Sequence, residues 1–323
     1  MPPSRPWKRR LIAAAAVLAA PALVFLTFDS LLSGGDASVG SPALVETFGR
    51  AARSAGAAVS SAGERLRAAE GAGERAAADP PPAPVSANGP APARPAAERL
   101  KVPILVYHNI KAPEAAARPA DLAYYVTPEE FEAQAAYLES EGYSAISTGD
   151  LRSALLGSKP LPPKPVMITF DDDRESQFQN AFPSLQRHHL TATFYVFTNA
   201  IGRPGYFTWE QLRTLRDAGM SIESHSIFHP YLEKLDDAAL RAEVTGSKAA
   251  IEKELGIAVD SFAYPFGTHP DRVIAAVRDA GYATARTLRH SAGVGSDELL
   301  LLPGYIVTGD FSAFRQILAG MRK

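Results

Sequence analysis

Residues 192–229 read ATFYVFTNAIGRPGYFTWEQLRTLRDAGMSIESHSIFH. Ala192–Phe197 is a short apolar run of strand character, and Thr208-Trp-Glu-Gln211 is a capping box that opens a helix stopped by Gly219. Ser221–Ser224 then begins a second strand. Outward from this unit the same texture repeats, with strands expected over Val102–Tyr107, Tyr143–Ser147, Val166–Phe170, Ser261–Tyr264, Tyr282–Ala285 and Tyr305–Val307. Helices fall between them. Thr127-Pro-Glu-Glu130 is a further capping box, with Gly142 as its stop, and Leu240, Val244, Ile251 and Leu255 mark one face of a helix ending at Gly256. Val273, Val277 and Ala280 do the same before Gly281. Strand–helix alternation over some 220 residues predicts a parallel sheet covered by helices, closing as a (β/α) barrel of seven or eight strands. In such barrels the chemistry sits where strands end and loops begin.

The chain of 323 residues carries a net charge of −2, which gives no electrostatic footprint for nucleic acid, and it has no cysteine, which removes disulfides and thiolate metal sites. Its first 100 residues differ from the rest. Arg5, Lys8, Arg9 and Arg10 precede an uncharged run from Leu11 to Phe28, about 27 Å long as a helix against a hydrocarbon core near 30 Å. The positive flank predicts an N-terminus retained in the cytoplasm and export of the remainder of the chain, through a signal-anchor over 1–29 or a cleaved signal peptide. Residues 30–100 are Ala-rich and then Pro-rich, poor in large side chains, and read as a linker holding a catalytic domain, 101–323, away from the inner membrane surface.

Four strand ends carry chemistry. Asp171, Asp172 and Asp173 follow the strand Val166–Phe170; adjacent strand residues face opposite ways, so two of these carboxylates share a site only where the strand breaks. His225 and His229 follow Ser221–Ser224, four apart as on one side of a helical turn, a spacing that lets both bind one ion. With Asp172 they make a His₂-carboxylate set suited to zinc or another divalent first-row metal, with positions left for water and substrate. Phe262-Ala-Tyr-Pro-Phe-Gly267 is a tight loop whose backbone N–H groups could face an oxyanion, and Tyr107-His108 ends the first strand.

Pro103-Ile-Leu-Val-Tyr-His108, Ile168-Thr-Phe-Asp-Asp172, the run from Thr208 through Ala218-Gly-Met-Ser-Ile-Glu-Ser-His-Ser-Ile-Phe-His-Pro230, and Ala263-Tyr-Pro-Phe-Gly267 resemble, in order and spacing, the polysaccharide deacetylases of carbohydrate esterase family 4. The resemblance covers most of 101–310 and implies a distorted (β/α)₇ barrel that removes N-acetyl groups from a hexosamine polymer. It implies Asp171 as catalytic base, Asp172, His225 and His229 as ligands of a divalent metal (zinc, or cobalt, nickel or manganese), and the Phe266 N–H as oxyanion donor. Tyr107-His108 resembles the branch acting on poly-N-acetylglucosamine, a biofilm exopolysaccharide, where this histidine is the general acid. Asp173 stands where the family usually has Gly, Ala263 where many members carry an Arg that orients the base, and Gly304 where an Arg is frequent. His290 is a secondary candidate for the acid. An O-acetyl esterase, a peptidoglycan deacetylase and an inactive glycan-binding protein are the competing expectations.

Overall fold

The computed structural model describes residues 99–291 and 293–320. The apolar run Leu11–Phe28 and nearly all of the expected linker lie outside them. Among the described residues no helix is long and apolar enough to cross a membrane.

Among the described residues ten strands form: β1 (Ile104–Tyr107), β2 (Asn109–Ile110), β3 (Tyr125–Val126), β4 (Ser144–Ala145), β5 (Pro165–Asp171), β6 (Thr193–Val196), β7 (Ser221–Ser224), β8 (Ser261–Ala263), β9 (Thr284–Arg286) and β10 (Tyr305–Ile306). All eight strands expected from the sequence are present, several trimmed or moved by one or two residues. The helices are α1 (Pro128–Ser140), α2 (Thr148–Leu155), α3 (Phe182–Arg187), α4 (Trp209–Asp217), α5 (Asp237–Leu255), α6 (Asp271–Asp279) and α7 (Phe311–Gly320). Both expected capping boxes close, Thr127 with Glu130 and Thr208 with Gln211, and Gly256 ends α5 in the left-handed conformation that suits a residue without Cβ. The sequence reading missed β2 and β3, a parallel pair of two residues each, too short to show any period.

The main sheet is parallel, in the order β10-β1-β5-β6-β7-β8-β9, with β4 added beside β5. Its central strands are buried on both faces, as expected of a parallel sheet. One face packs Leu105, Tyr107, Ile168, Phe170, Phe194 and Ile222 against the helices. Alternation puts Thr169 and Asp171 of β5 and Tyr195 of β6 on the other face, and pairing sets Tyr195 beside Glu223 of β7. On that face Tyr195 Oη meets Ser261 Oγ at 2.9 Å, Thr284 Oγ1 donates to Ser261 Oγ at 2.9 Å, and Arg286 is bonded to Asp171. Four strand spacings separate β5 from β9, about 19 Å in a flat sheet. A direct bond between Asp171 and Arg286 therefore requires the sheet to curl until its inner faces meet, as in a (β/α) barrel. Leu302 pairs with Arg286 of β9, and β10, three residues on, pairs with β1, so one segment ties the two ends of the sheet. At the start of the domain, Leu100 pairs with Val294.

Candidate active site

β5 ends at Asp171, and the next two residues take left-handed backbone, φ 72° at Asp172 and 40° at Asp173. That reversal cancels the strand alternation, so consecutive carboxylates reach the same cavity. Left-handed backbone is costly for residues with a Cβ and concentrates at functional sites. Ser226, His229 and Phe266 share it, with φ of 74°, 54° and 58°.

The histidine pair stands on an irregular loop after β7, not on the helical turn its spacing suggested. Side chains hold that loop: Ser226 Oγ accepts from the His229 N–H at 2.9 Å, and Glu243 Oε2 from α5 accepts from the Ile227 and Phe228 N–H groups at 2.8 and 3.0 Å. Two left-handed residues there turn His229 back towards His225. The buried His225 faces the Ala263 carbonyl across 2.7 Å; a carbonyl can only accept, so Nδ1 carries the proton and Nε2 keeps its lone pair. This bond fixes ring orientation and tautomer, as carbonyl partners do for metal-binding histidines.

The three candidate ligand atoms converge. His225 Nε2 and His229 Nε2 are 3.1 Å apart, and Asp172 Oδ1 lies 3.8 and 3.5 Å from them. Bonds of roughly 2.0–2.1 Å at tetrahedral angles would set ligand atoms about 3.4 Å apart, so the set fits one zinc-sized ion. Protonation suits it too. Burial lowers the proton affinity of both imidazoles, to about 4 for His229, where the neighbouring His225 adds to the effect. Burial pushes the Asp172 carboxyl up, but His108, His225, His229 and Arg174 outweigh it and hold the group at about 2. Neutral imidazoles and an ionised carboxylate are the states that bind metal.

Asp171 stands beside this trio, its Oδ2 4.0 Å from His225 Nε2. Arg286, itself buried, grips that same Oδ2, while Oδ1 is buried with no hydrogen-bond partner. Arg286 is a site residue that the sequence reading passed over. Ala263 stands where the family resemblance leads one to expect an arginine; here β9 supplies the guanidinium from across the curled sheet, and Ala263 contributes its carbonyl to His225 instead. Gly304 makes the room: a Cβ there would sit 3.1 Å from Arg286 Nη1 and 2.4 Å from the Thr287 carbonyl oxygen. An arginine at the end of a predicted strand on the active face was the available signal.

His108, at the end of β1, brings Nε2 to 3.9 Å from Asp171 Oδ2, with Nδ1 buried and unpartnered. Burial lowers its proton affinity, against the pull of Asp171 and Asp172. Gln177 donates to the carbonyls of both His108 and Asp171, at 2.7 and 2.6 Å, locking the two strand ends together. Phe266 lies half-exposed, stacked on Tyr231 at 3.9 Å and edge-on to His229 at 4.6 Å. Its N–H makes no hydrogen bond among the described residues. His290 is not brought to the site; it stacks on Tyr305 at 4.7 Å. Asp173 is buried and structural: its Oδ1 accepts from the Phe197 N–H at 3.2 Å, its backbone carbonyl from Phe207, and burial raises its carboxyl well above the usual range. Arg174 reaches Asp172 Oδ2 at 3.4 Å and is held by Tyr206 Oη at 2.8 Å, leaving Asp172 Oδ1 for the histidines. His108, Asp171, Asp172, Arg174, His225, His229 and Phe266 line a cavity of about 560 Å³.

The sequence model of the polysaccharide deacetylase family matches residues 158–285. YxkH of Bacillus subtilis, named a putative polysaccharide deacetylase, is 29% identical over 192 residues, which is 59% of this chain and 66% of YxkH. The poly-beta-1,6-N-acetyl-D-glucosamine N-deacetylase of Staphylococcus epidermidis is 26% identical over 201 residues, 58% of this chain and 69% of that protein. The chain thus spans about two thirds of the length of these curated relatives. Among solved structures, the Streptococcus pyogenes deacetylase PplD in complex with acetate superposes with a TM-score of 0.62 at 27% identity, over 69% of this chain and 99% of that one. A curled parallel sheet, three converging candidate ligand atoms at its strand ends and these likenesses agree with one another, and residues 158–285 carry a polysaccharide deacetylase domain.

Proposed function

We propose that the domain, read as the family's distorted seven-stranded barrel, hydrolyses N-acetyl groups on a hexosamine polymer of the poly-N-acetylglucosamine kind. The observation that carries this is a carboxylate, Asp171, standing free of the ligand trio yet against it, with one oxygen clamped and one bare. Asp172, His225 and His229 would hold a divalent ion, zinc by the donor set, whose chemistry there would be Lewis acidity towards the acetyl carbonyl and water. The bare Oδ1 of Asp171 takes the proton of the attacking water, while Arg286 keeps the carboxylate aimed. The free Phe266 N–H donates to the oxyanion as it forms. His108 then gives its proton to the departing nitrogen, which would otherwise leave as a poor amide anion. Its lowered proton affinity makes it a stronger acid for that step, at the cost of being protonated in a smaller fraction of molecules near neutrality. The S. epidermidis relative's name and the PplD–acetate complex support the substrate class. The charged N-terminal flank and the apolar run after it support export and a membrane tether.

The test is acetate release from poly-β-1,6-N-acetylglucosamine, chitooligosaccharides, peptidoglycan and acetylated xylan by metal-analysed protein. Release from the first, and loss of bound metal and activity together in His225→Ala, is the expected result. Acetate from xylan alone would make the protein an O-acetyl esterase, and glycan affinity without any acetate an inactive binder.

A further inference from the structure

His108 sits in the break between β1, whose last residue Tyr107 pairs with Phe170, and β2, which has left the main sheet and pairs with β3. Among the described residues no hydrogen bond holds its ring. Nδ1 is buried without a partner, Nε2 stands 3.9 Å from Asp171 Oδ2, and the Tyr124 ring lies edge-on at 4.7 Å. The imidazole therefore stands where its backbone puts it. Asp171 is anchored otherwise, by strand pairing with Tyr195 and by the Arg286 clamp.

The backbone around His108 is held from one turn. After Ser176 comes a single π-helical turn, Gln177–Ala181, that runs into α3; such turns are frequent at functional sites. Three side chains of this stretch grip the chain beside His108. Ser176 Oγ accepts from the Ile110 N–H at 3.2 Å, Asn180 Nδ2 donates to the Ile110 carbonyl at 2.8 Å, and Gln177 Nε2 donates to the His108 carbonyl at 2.7 Å. The same Gln177 Nε2 donates to the Asp171 carbonyl at 2.6 Å, so one amide group spans both strand ends. Gln177 is wholly buried, and its Oε1 has no partner, which is costly for an acceptor. A methionine would fill that space without the unmet oxygen. What the amide contributes is its two donors, not its bulk.

We propose that Gln177 is a positioning residue for the leaving-group step: through the His108 carbonyl it fixes where the imidazole stands relative to Asp171. The proposal rests on the reading of His108 as the acid and adds the residue that sets its place. The consequence is selective. An amide nitrogen departs only with a proton, whereas a nitrophenolate departs as a stable anion, so a displaced acid penalises the first and spares the second.

The experiment measures acetate release from a β-1,6-linked N-acetylglucosamine oligosaccharide and from para-nitrophenyl acetate. It uses metal-analysed wild type, Gln177→Met, His108→Ala and the double variant. In Gln177→Met the amide-to-ester ratio of kcat should fall about 10²-fold, with bound metal as in wild type and KM little altered. His108→Ala should lower the same ratio, and the double variant should lower it no further, since Gln177 then has no acid left to place. Asn180→Ala, half-buried and outside the cavity, should lower the ratio by a smaller factor, a test that stands even if Gln177→Met unfolds. An unchanged ratio in Gln177→Met or Asn180→Ala, or a further fall in the double variant, overturns the clasp and leaves the deacetylase reading standing. An unchanged ratio in His108→Ala overturns the acid assignment and the proposal with it. Crystallography of metal-free Gln177→Met gives a readout free of turnover. A His108 ring displaced from Asp171 by about 1 Å, with the ligand trio in place, supports the proposal; an unmoved ring overturns it even if no substrate is cleaved.

Discussion

Replacing Arg286 with methionine takes a buried cation from Asp171 and leaves the three ligand atoms untouched. A carboxylate left buried and unpaired costs about 3–5 kcal/mol of stability. The Asp171 carboxylate, the proposed base, would also lose its aim, and a misplacement of about 1 Å can cost on the order of 10²-fold in rate. We expect Arg286→Met to lower kcat by about that factor with bound metal unchanged and KM little altered, and to lower the denaturation midpoint. Arg286→Lys should restore part of the stability and little of the rate, since a point charge lacks the planar fork. Unchanged kcat in a folded Arg286→Met protein would remove Arg286 from the site. The candidate ligands and Asp171, which the fold brings together, were legible in the sequence because they stand in short motifs at apolar strand ends. Arg286 was not, because its place at a strand end was its one signal, no motif surrounds it, and its partner lies 115 positions away. Asp173 was legible only as a departure; its burial beside the Phe197 N–H explains why a side chain is accommodated where the turn alone favours glycine.

Strands and helices were read from apolar runs, capping boxes and stop glycines, and these signals hold because each is local. Thr127 and Thr208 bond N–H groups three residues away, and Gly256 turns the chain at its own φ. What local signals could not give is the packing of one element on another. Gly304 shows the difference: in sequence it is a glycine after a proline, in the fold it is the gap through which Arg286 passes. We expect Gly304→Ala to destabilise by about 1–3 kcal/mol, since the added methyl meets backbone and cannot be relieved by a rotamer change. It should also cut kcat by displacing the guanidinium. Thermal unfolding and steady-state kinetics of the one variant check both effects. The histidine loop makes the same point from the other side, for its shape comes from Glu243 on α5, and a four-residue spacing alone read as helix.

At the scale of the molecule, the curl of the sheet encloses polar side chains that strand alternation predicts but cannot bring together. Glu223 is one of them. Its carboxyl accepts from the Asp260 and Ser261 N–H groups at 3.1 and 2.8 Å, yet burial lifts its pKa from 4.5 to about 8. Between those values the folded protein retains a proton that the unfolded chain has released. This group's contribution to stability is therefore fully present below about 4.5 and is lost as pH rises through about 8. Glu223→Gln keeps the acceptor oxygen and removes the ionisation. Its unfolding temperature in chelator should match wild type near pH 5 and exceed it at pH 9, by about 2–4 °C for each kcal/mol recovered. A constant difference across that range would show that Glu223 does not ionise with folding.

The segment from Leu302 to Ile306 pairs with β9 and then with β1. An open parallel sheet ends in two rows of unsatisfied amides and carbonyls, each a template on which a strand from another copy can add. Here one short stretch occupies both margins, so the inner sheet offers little purchase for strand-by-strand growth into aggregates.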